Sequence, residues 1–119
     1  MRRIETEVRG PGLLSPMARV EYRALATGQP LVLVRERDNP VDPNAIIAST
    51  ALLQPCGYIA KEAAAIVAPE LDAGIIWLAK VLAPAKAMHY PRVVLWKEPL
   101  RAQMREAMEL VQDEMRRRA

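Results

Sequence analysis

The residues best equipped for chemistry lie in one short segment, Asn39-Pro40-Val41-Asp42-Pro43-Asn44. Arg35-Glu36-Arg37-Asp38 leads into it, and two apolar runs, Leu31-Val32-Leu33-Val34 and Ala45-Ile46-Ile47-Ala48, flank it. Proline fixes φ and removes an amide donor, while Asp and Asn side chains bond back to nearby backbone. A loop of this composition holds carboxylates and amides in set directions. An Asn-Gly pair is enough to close a plain hairpin, so the surplus of polar groups points to a site. Asp42 admits two readings at this point. Either it caps amides of its own loop, or it faces a ligand hydroxyl, from which a carboxylate accepts a hydrogen bond while repelling a terminal phosphate. Asn44 reads as structural.

A second chemical segment, Gly57-Tyr58-Ile59-Ala60-Lys61-Glu62, falls where a strand should give way to a helix. Lys61 would sit at the helix N-terminus, where backbone amides favour anions. Arg19, Arg35 and Arg37 are the other candidate phosphate contacts, set against the plainer reading of solvated surface arginines. Tyr22 and Tyr58 are the candidate stacking groups, since bases stack on aromatic faces for about 1–3 kcal/mol each. The plainer reading makes them barrel core. With two Trp, three Tyr and no Phe, the chain has few aromatics to spare.

Other chemistries fit poorly. Asp38, Asp42 and Asn44 have some of the look of a calcium loop, but Pro43 stands where a flexible glycine is required and the distal glutamate is missing. Cys56 is the only cysteine, which excludes an intrachain disulfide and a multi-cysteine zinc site. His89 is the only histidine, and nothing local supports a Cys56–His89 nucleophile pair. Gly10-Pro11-Gly12 lacks the Lys-Ser/Thr of a phosphate-binding loop, so no ATPase is expected. No carboxylate cluster suits a nuclease. The expectation is a binding module, not an enzyme, with no cofactor and no metal.

The elements that must position these residues are mostly short strands. Strands are expected at Ile4 to Val8, Arg19 to Ala26, Leu31 to Arg37, Asn44 to Ser49, Gly57 to Ile59, Ile75 to Leu82 and Tyr90 to Trp96, with loop from Leu13 to Ala18. In the second of these, Val20, Tyr22 and Ala24 would share one face. Lys61 to Asp72 reads as a helix, with Ala64, Ile66, Val67 and Leu71 on one side, a break or kink near Ala68 imposed by Pro69, and Gly74 as its stop. The fold class is therefore mainly β with helices (α+β), a small, partly open β-barrel with one helix after the Gly57-Tyr58-Ile59 strand. Residues 98–119 form a C-terminal amphipathic helix. Glu98 and Pro99 suit its start, Arg116-Arg117-Arg118 its end, and Leu100, Met104, Met108, Val111 and Met115 form its apolar stripe. This helix either packs on its own barrel or binds another subunit, for instance as a homodimer.

The totals fit one domain, residues 1–97, with 98–119 as an extension. The chain has 119 residues and a net charge of +3. Residues 1–97 carry twelve Lys and Arg against nine Asp and Glu, while residues 98–119 are neutral with five of each. The basic excess lies in the body and permits an anionic partner. No apolar run approaches the ~20 residues needed to span a bilayer, and the N-terminus does not read as a secretory signal. A cytoplasmic protein with no membrane association is expected.

The two chemical segments together resemble the HIRAN domain, a small module that occurs alone in bacteria and fused to helicase-like DNA repair ATPases in eukaryotes. The pattern is arginine–x–x–x–Asn-Pro–x–Asp–x–Asn-Ala-Ile, then Gly–aromatic or His–aliphatic–x–Lys-Glu, and the resemblance extends from about Arg19 to about Trp96. It implies a modified OB-like barrel. It implies single-stranded DNA as partner, with Asp42 at the position that recognises a free 3′ hydroxyl, in a DNA repair, replication or mobile-element context. It places Lys61 at a basic position of the motif, and makes Arg19 the arginine that precedes the family's aromatic platform. The best-known eukaryotic pattern reads Asn-Pro-Tyr-Asp, with the tyrosine stacking on a base. Val41 stands there in this chain, which implies a differently built base platform to which Tyr58 contributes. A separately encoded helicase-like ATPase is the implied protein partner. The alternative is a protein-interaction adaptor with no direct DNA binding.

Overall fold

Period-two alternation of apolar and polar residues builds six strands: β1 (Arg3–Arg9), β2 (Pro30–Arg35), β3 (Ile46–Ser49), β4 (Pro55–Ile59), β5 (Leu78–Ala83) and β6 (Arg92–Trp96). The computed structural model, which describes residues 3–97 and 100–118, closes them into an antiparallel barrel in the order β1-β4-β3-β2-β5-β6. Closure leaves no unpaired sheet edge. Strand β1 joins two neighbours in turn. Residues Arg3 to Glu7 pair with Trp96 to Arg92 of β6, and then Val8 and Arg9 pair with Ile59 and Tyr58 of β4. Inward-facing Val8, Leu31, Ile46, Ala48, Ile59, Ala79, Val81, Val93 and Leu95 fill the interior, with Trp77 and Cys56. Burial pushes the Cys56 thiol up to about 11, which suits a core residue rather than a nucleophile.

Gly57 explains itself at the β1–β4 junction. A Cβ there would lie 2.8 Å from both the Arg9 carbonyl oxygen and Val8 Cγ1. Only a residue without a side chain lets the two strands approach closely enough to pair.

The barrel carries three helices. Helix α2 (Lys61–Asp72) contributes Ala63, Ala64, Val67 and Ala68 to the same core. It runs unbroken through Pro69, so of the break or kink expected near Ala68 the break does not occur. The carbonyl deprived of a donor there belongs to exposed Ala65 and is left to water. Ile66, expected on the buried side, is exposed. Gly74 ends the helix at φ 87°, donating its amide to Leu71 O at 3.0 Å.

Helix α1 (Pro16–Ala24) overturns the strand expected at Arg19 to Ala26. Ser15 Oγ accepts the Ala18 amide at 3.1 Å and Pro16 occupies the first turn, a start signal that the apparent alternation hid. The true period is helical: Ala18, Tyr22 and Leu25 turn inward, while Val20 is exposed. A short 3-10 turn at Pro11–Leu13 precedes it, and α1 packs on β4.

Of the two readings of the terminal helix, packing on its own barrel does not hold for the described side chains of helix α3 (Leu100–Arg118). Met104, Met108, Val111 and Met115 are between 57% and 66% exposed. Ion pairs of its own, Arg116–Asp113 and Arg118–Glu114, run along its surface. The expected capping roles of Glu98 and Pro99 lie outside the described residues. No helix among the described residues is long and apolar enough to cross a membrane.

Two outcomes follow from this packing. Gly57→Ala should destabilise the barrel by about 1–3 kcal/mol in urea titration, because the added methyl meets backbone and a buried valine. Deleting residues 104–119 should leave the thermal midpoint of the barrel unchanged, since residues 104–118 are exposed throughout; a clear fall in melting temperature would show that the segment packs on the barrel.

Candidate functional site

Arg35, the last residue of β2, organises the loop that follows. Its side chain is only 12% exposed. Nε and Nη2 donate to the two carboxylate oxygens of Asp72 at 2.9 and 3.1 Å. Nη1 donates to Ala45 O at 2.7 Å, and Nη2 also to Pro43 O at 3.0 Å. One guanidinium thus ties the end of α2 to the far limb of the 36–45 loop, the forked geometry that arginine alone provides. The Arg35 bond holds the Asp72 carboxyl below its ordinary value. Arg37 adds a 3.1 Å bond to the same Asp72 oxygen.

Asn39 sets the tip. Its Oδ1 accepts the amides of Val41 and Asp42, both at 2.9 Å, and its Nδ2 donates to Glu36 Oε1 at 2.7 Å. Glu36 Oε1 also accepts the Tyr58 hydroxyl at 2.8 Å. Burial, followed by this bond, pushes the Tyr58 phenol up to about 12. Asp42 Oδ1 accepts the Asn44 amide at 2.9 Å, so the capping reading of Asp42 holds for one oxygen. Its Oδ2 has no hydrogen-bond partner among the described residues. The network runs from Tyr58 on β4 through Glu36 and Asn39 to Asp42, and fixes where that second oxygen lies.

The loop, the end of β1 and the start of α2 enclose a cavity of about 240 Å³. Arg9, Val41, Asp42, Tyr58, Ala60 and Lys61 are among the residues that line it. Val41 is 90% exposed. No side chain caps the N-terminus of α2 at Ala60, so this helix end opens on the cavity with its amides and dipole available to an anion. Arg9 bonds Glu7 at 2.9 Å and reaches Glu62 at 3.5 Å.

Of the residues singled out from sequence, the cavity brings together Val41, Asp42, Tyr58 and Lys61. Arg35 stands behind the loop with its donors committed. Arg19 is exposed on α1, its guanidinium lying against Gly12. Tyr22 is half-buried against the core and borders a different cleft, beside Tyr90. Arg9, Glu36 and Asn39 are the contributors that the sequence did not single out by role. Arg9 enters because it pairs with Tyr58 across strands far apart in the chain, and no local signal marks such a partner.

Removal of the loop's central amide tests this construction. Asn39→Ala should lower stability by about 1–2 kcal/mol and speed hydrogen exchange at the Val41 and Asp42 amides, with the barrel strands unaffected. Unchanged exchange at both amides would show that the prolines alone hold the loop.

Comparison with known proteins agrees with this architecture. The model of the HIRAN domain matches residues 3–101. A crystal structure of a protein from Lactobacillus plantarum superposes with a TM-score of 0.67 at 24% identity, covering 82% of this chain and 91% of that one. The HIRAN domain of human HLTF superposes with a TM-score of 0.62 at 19% identity, covering 82% of this chain and 77% of that one. At these identities the two likenesses speak for the fold. No curated protein matches the chain. The family match spans most of the sequence and includes both segments that build the cavity, and the chain accordingly belongs to the HIRAN domain family.

Proposed function

We infer that this chain is a nucleic-acid-binding module that takes the 3′-hydroxyl end of single-stranded DNA in the cavity between Asp42 and Lys61. Family membership supports nucleic-acid binding in general. The observation that carries the finer reading is the meeting of opposite chemistries in one small cavity. A fixed carboxylate with an uncommitted oxygen and a lysine on an uncapped helix start line the same cavity. A terminal nucleotide presents the matching pair, a hydroxyl donor and a phosphodiester one bond system away. A blunt duplex would have to unpair its end to offer both. The module acts by binding, without catalysis of its own, in a repair, replication or mobile-element setting in the cytoplasm, beside a separately encoded helicase-like ATPase.

A second reading, an adaptor for other proteins, is favoured by one observation: the methionine-rich stripe of α3 stands exposed. Methionine is suited to adaptable apolar contacts. The two readings use different surfaces and are separable by experiment.

Fluorescence anisotropy with short single strands that differ only at the 3′ terminus decides the first. A 3′ phosphate should weaken binding about tenfold, each ~1.4 kcal/mol counting as a factor of ten, because it sets like charges together and removes the hydroxyl donor. Asp42→Asn keeps an acceptor for the Asn44 amide and removes the charge, so it should erase the discrimination without unfolding the loop. Lys61→Ala should weaken both ends alike. With two or three phosphates contacted, log affinity should fall against log salt with a slope of roughly −1.5 to −2. Equal affinity for hydroxyl and phosphate ends would make Asp42 purely structural, and equal affinity for duplex and single strand would reduce the interaction to charge attraction.

A further inference from the structure

The last turn of α2 carries two carboxylates, Glu70 and Asp72, at the end of the helix where the dipole is already negative. No basic residue of the helix itself lies in that turn, and the cations come from elsewhere in the chain. Asp72 takes Arg35 and Arg37 at the 36–45 loop. Glu70 takes Lys97, whose ammonium donates to Oε1. The same oxygen accepts the indole N–H of Trp77 at 3.1 Å, and the Lys97 ammonium stands 5.4 Å from the Trp77 ring centroid. Trp77 belongs to the barrel core, so the lysine is received by a group that is itself held in place.

Lys97 follows β6 and precedes the root of α3. Only Glu98 and Pro99 separate it from Leu100, where the helix begins. Proline fixes its own φ and restricts the residue before it, so the sequence leaves this connector little freedom. Residues 104–118 are exposed, and the ion pairs of α3, Arg116–Asp113 and Arg118–Glu114, stay within the helix. Among the described side chains, Lys97 is the last in the chain with a bond to the barrel. The helix has 19 residues, or about 28 Å of length, and the molecule measures 51 Å along its longest axis against 28 and 23 Å across. Such an arm magnifies any rotation at its root.

We propose that Glu70, Trp77 and Lys97 form a clasp that fixes the direction in which α3 leaves the barrel. An ammonium held by a carboxylate and by an aromatic face is constrained in direction as well as in distance. Glu70 and Trp77 act through Lys97 as positioning residues. The clasp is a separate ion pair from the Arg35–Asp72 clamp but is built on the same turn of α2, so the loop beside the cavity and the arm share one base. The arm then presents Met104, Met108, Val111 and Met115 at a constant angle to the cavity lined by Asp42 and Lys61, and a partner taken on that stripe is held in a constant place relative to it.

The test uses the full chain with two spin labels and reads the spread of distances between them by double electron–electron resonance. The labels sit on Ala51→Cys in the β3–β4 turn and Leu110→Cys on α3; both positions are exposed, while Cys56 is buried and stays unlabelled. The parent should give one narrow distribution. Lys97→Met keeps a long side chain over Trp77 and removes the charge, and it should lose the single maximum. Lys97→Arg should keep it. Hydrogen exchange at the Val41 and Asp42 amides should stay at the parent rate in both variants, because Asp72 and not Glu70 holds the loop. A broad distribution in the parent overturns the proposal, as does a narrow one in Lys97→Met. If Lys97→Arg is as broad as Lys97→Met, charge is not what holds the root and the clasp falls. Faster exchange at the two loop amides in Lys97→Met would show that the whole turn of α2 has come apart, which overturns the clasp as a separate device. Should Lys97→Met fail to fold, Glu70→Gln is measured in its place with the same two outcomes, since it keeps an acceptor for the Trp77 indole and loses the charge.

Discussion

Closure between β1 and β4 is the contact on which the rest of this structure depends. Most of β1 is committed to β6, and only Val8 and Arg9 remain to reach β4. That short pairing is possible because Gly57 leaves room for the Arg9 carbonyl and the Val8 side chain. It has three consequences at once. The barrel loses its edges. Arg9 arrives opposite Tyr58. The Ala60 amide donates to Glu7 O at 2.9 Å, which fixes the point where α2 begins, so a cation, an aromatic ring and a helix N-terminus converge on one cavity. The glycine of the Gly-Tyr-Ile segment is thus a packing requirement whose effect is felt at the functional surface.

The facing wall is built on a different principle. The 36–45 loop has little apolar material to anchor it and is held by charge and amide chemistry instead. Arg35 clamps the loop to the end of α2 through Asp72, and Glu36 and Asn39 brace its tip against Tyr58. Because the clamp depresses the Asp72 carboxyl, its contribution is complete at neutral pH and is lost only as the solution is acidified below the usual carboxylate range. A loop held this way presents Asp42 in a constant place, and preorganisation of that kind favours binding because less freedom remains to be lost.

Charge is distributed to suit this division. Arg35 and Arg37 share Asp72 near α2, and Arg9 and Arg92 share Glu7 at the β1–β6 face, with Arg9 also reaching Glu62 at 3.5 Å. Helix α3 carries ion pairs within itself and leaves Met104, Met108, Val111 and Met115 exposed.

Much was legible before any coordinates. The Asn39-Pro40-Val41-Asp42-Pro43-Asn44 loop, the strands around it, the helix from Lys61 to Asp72 and its Gly74 stop depend on local stereochemistry, on φ preferences and on short-range periodicity, and these act within a few residues. The family resemblance rested on the same local pattern. Where local signals conflicted, the tertiary structure decided. The stretch after Ser15 alternates like a strand, yet a capped helix packing Ala18, Tyr22 and Leu25 against the sheet won, and it carried Arg19 and Tyr22 away from the cavity. Pro69 did not break α2, because the carbonyl it leaves bare faces water. The partnership of Arg9 with Tyr58, the hold of Arg35 on Asp72 and the cleft around Tyr90 join residues 37 to about 85 positions apart. Strand order and closure set those distances. Such contacts exist only once the barrel has closed, and no window of the sequence contains both partners.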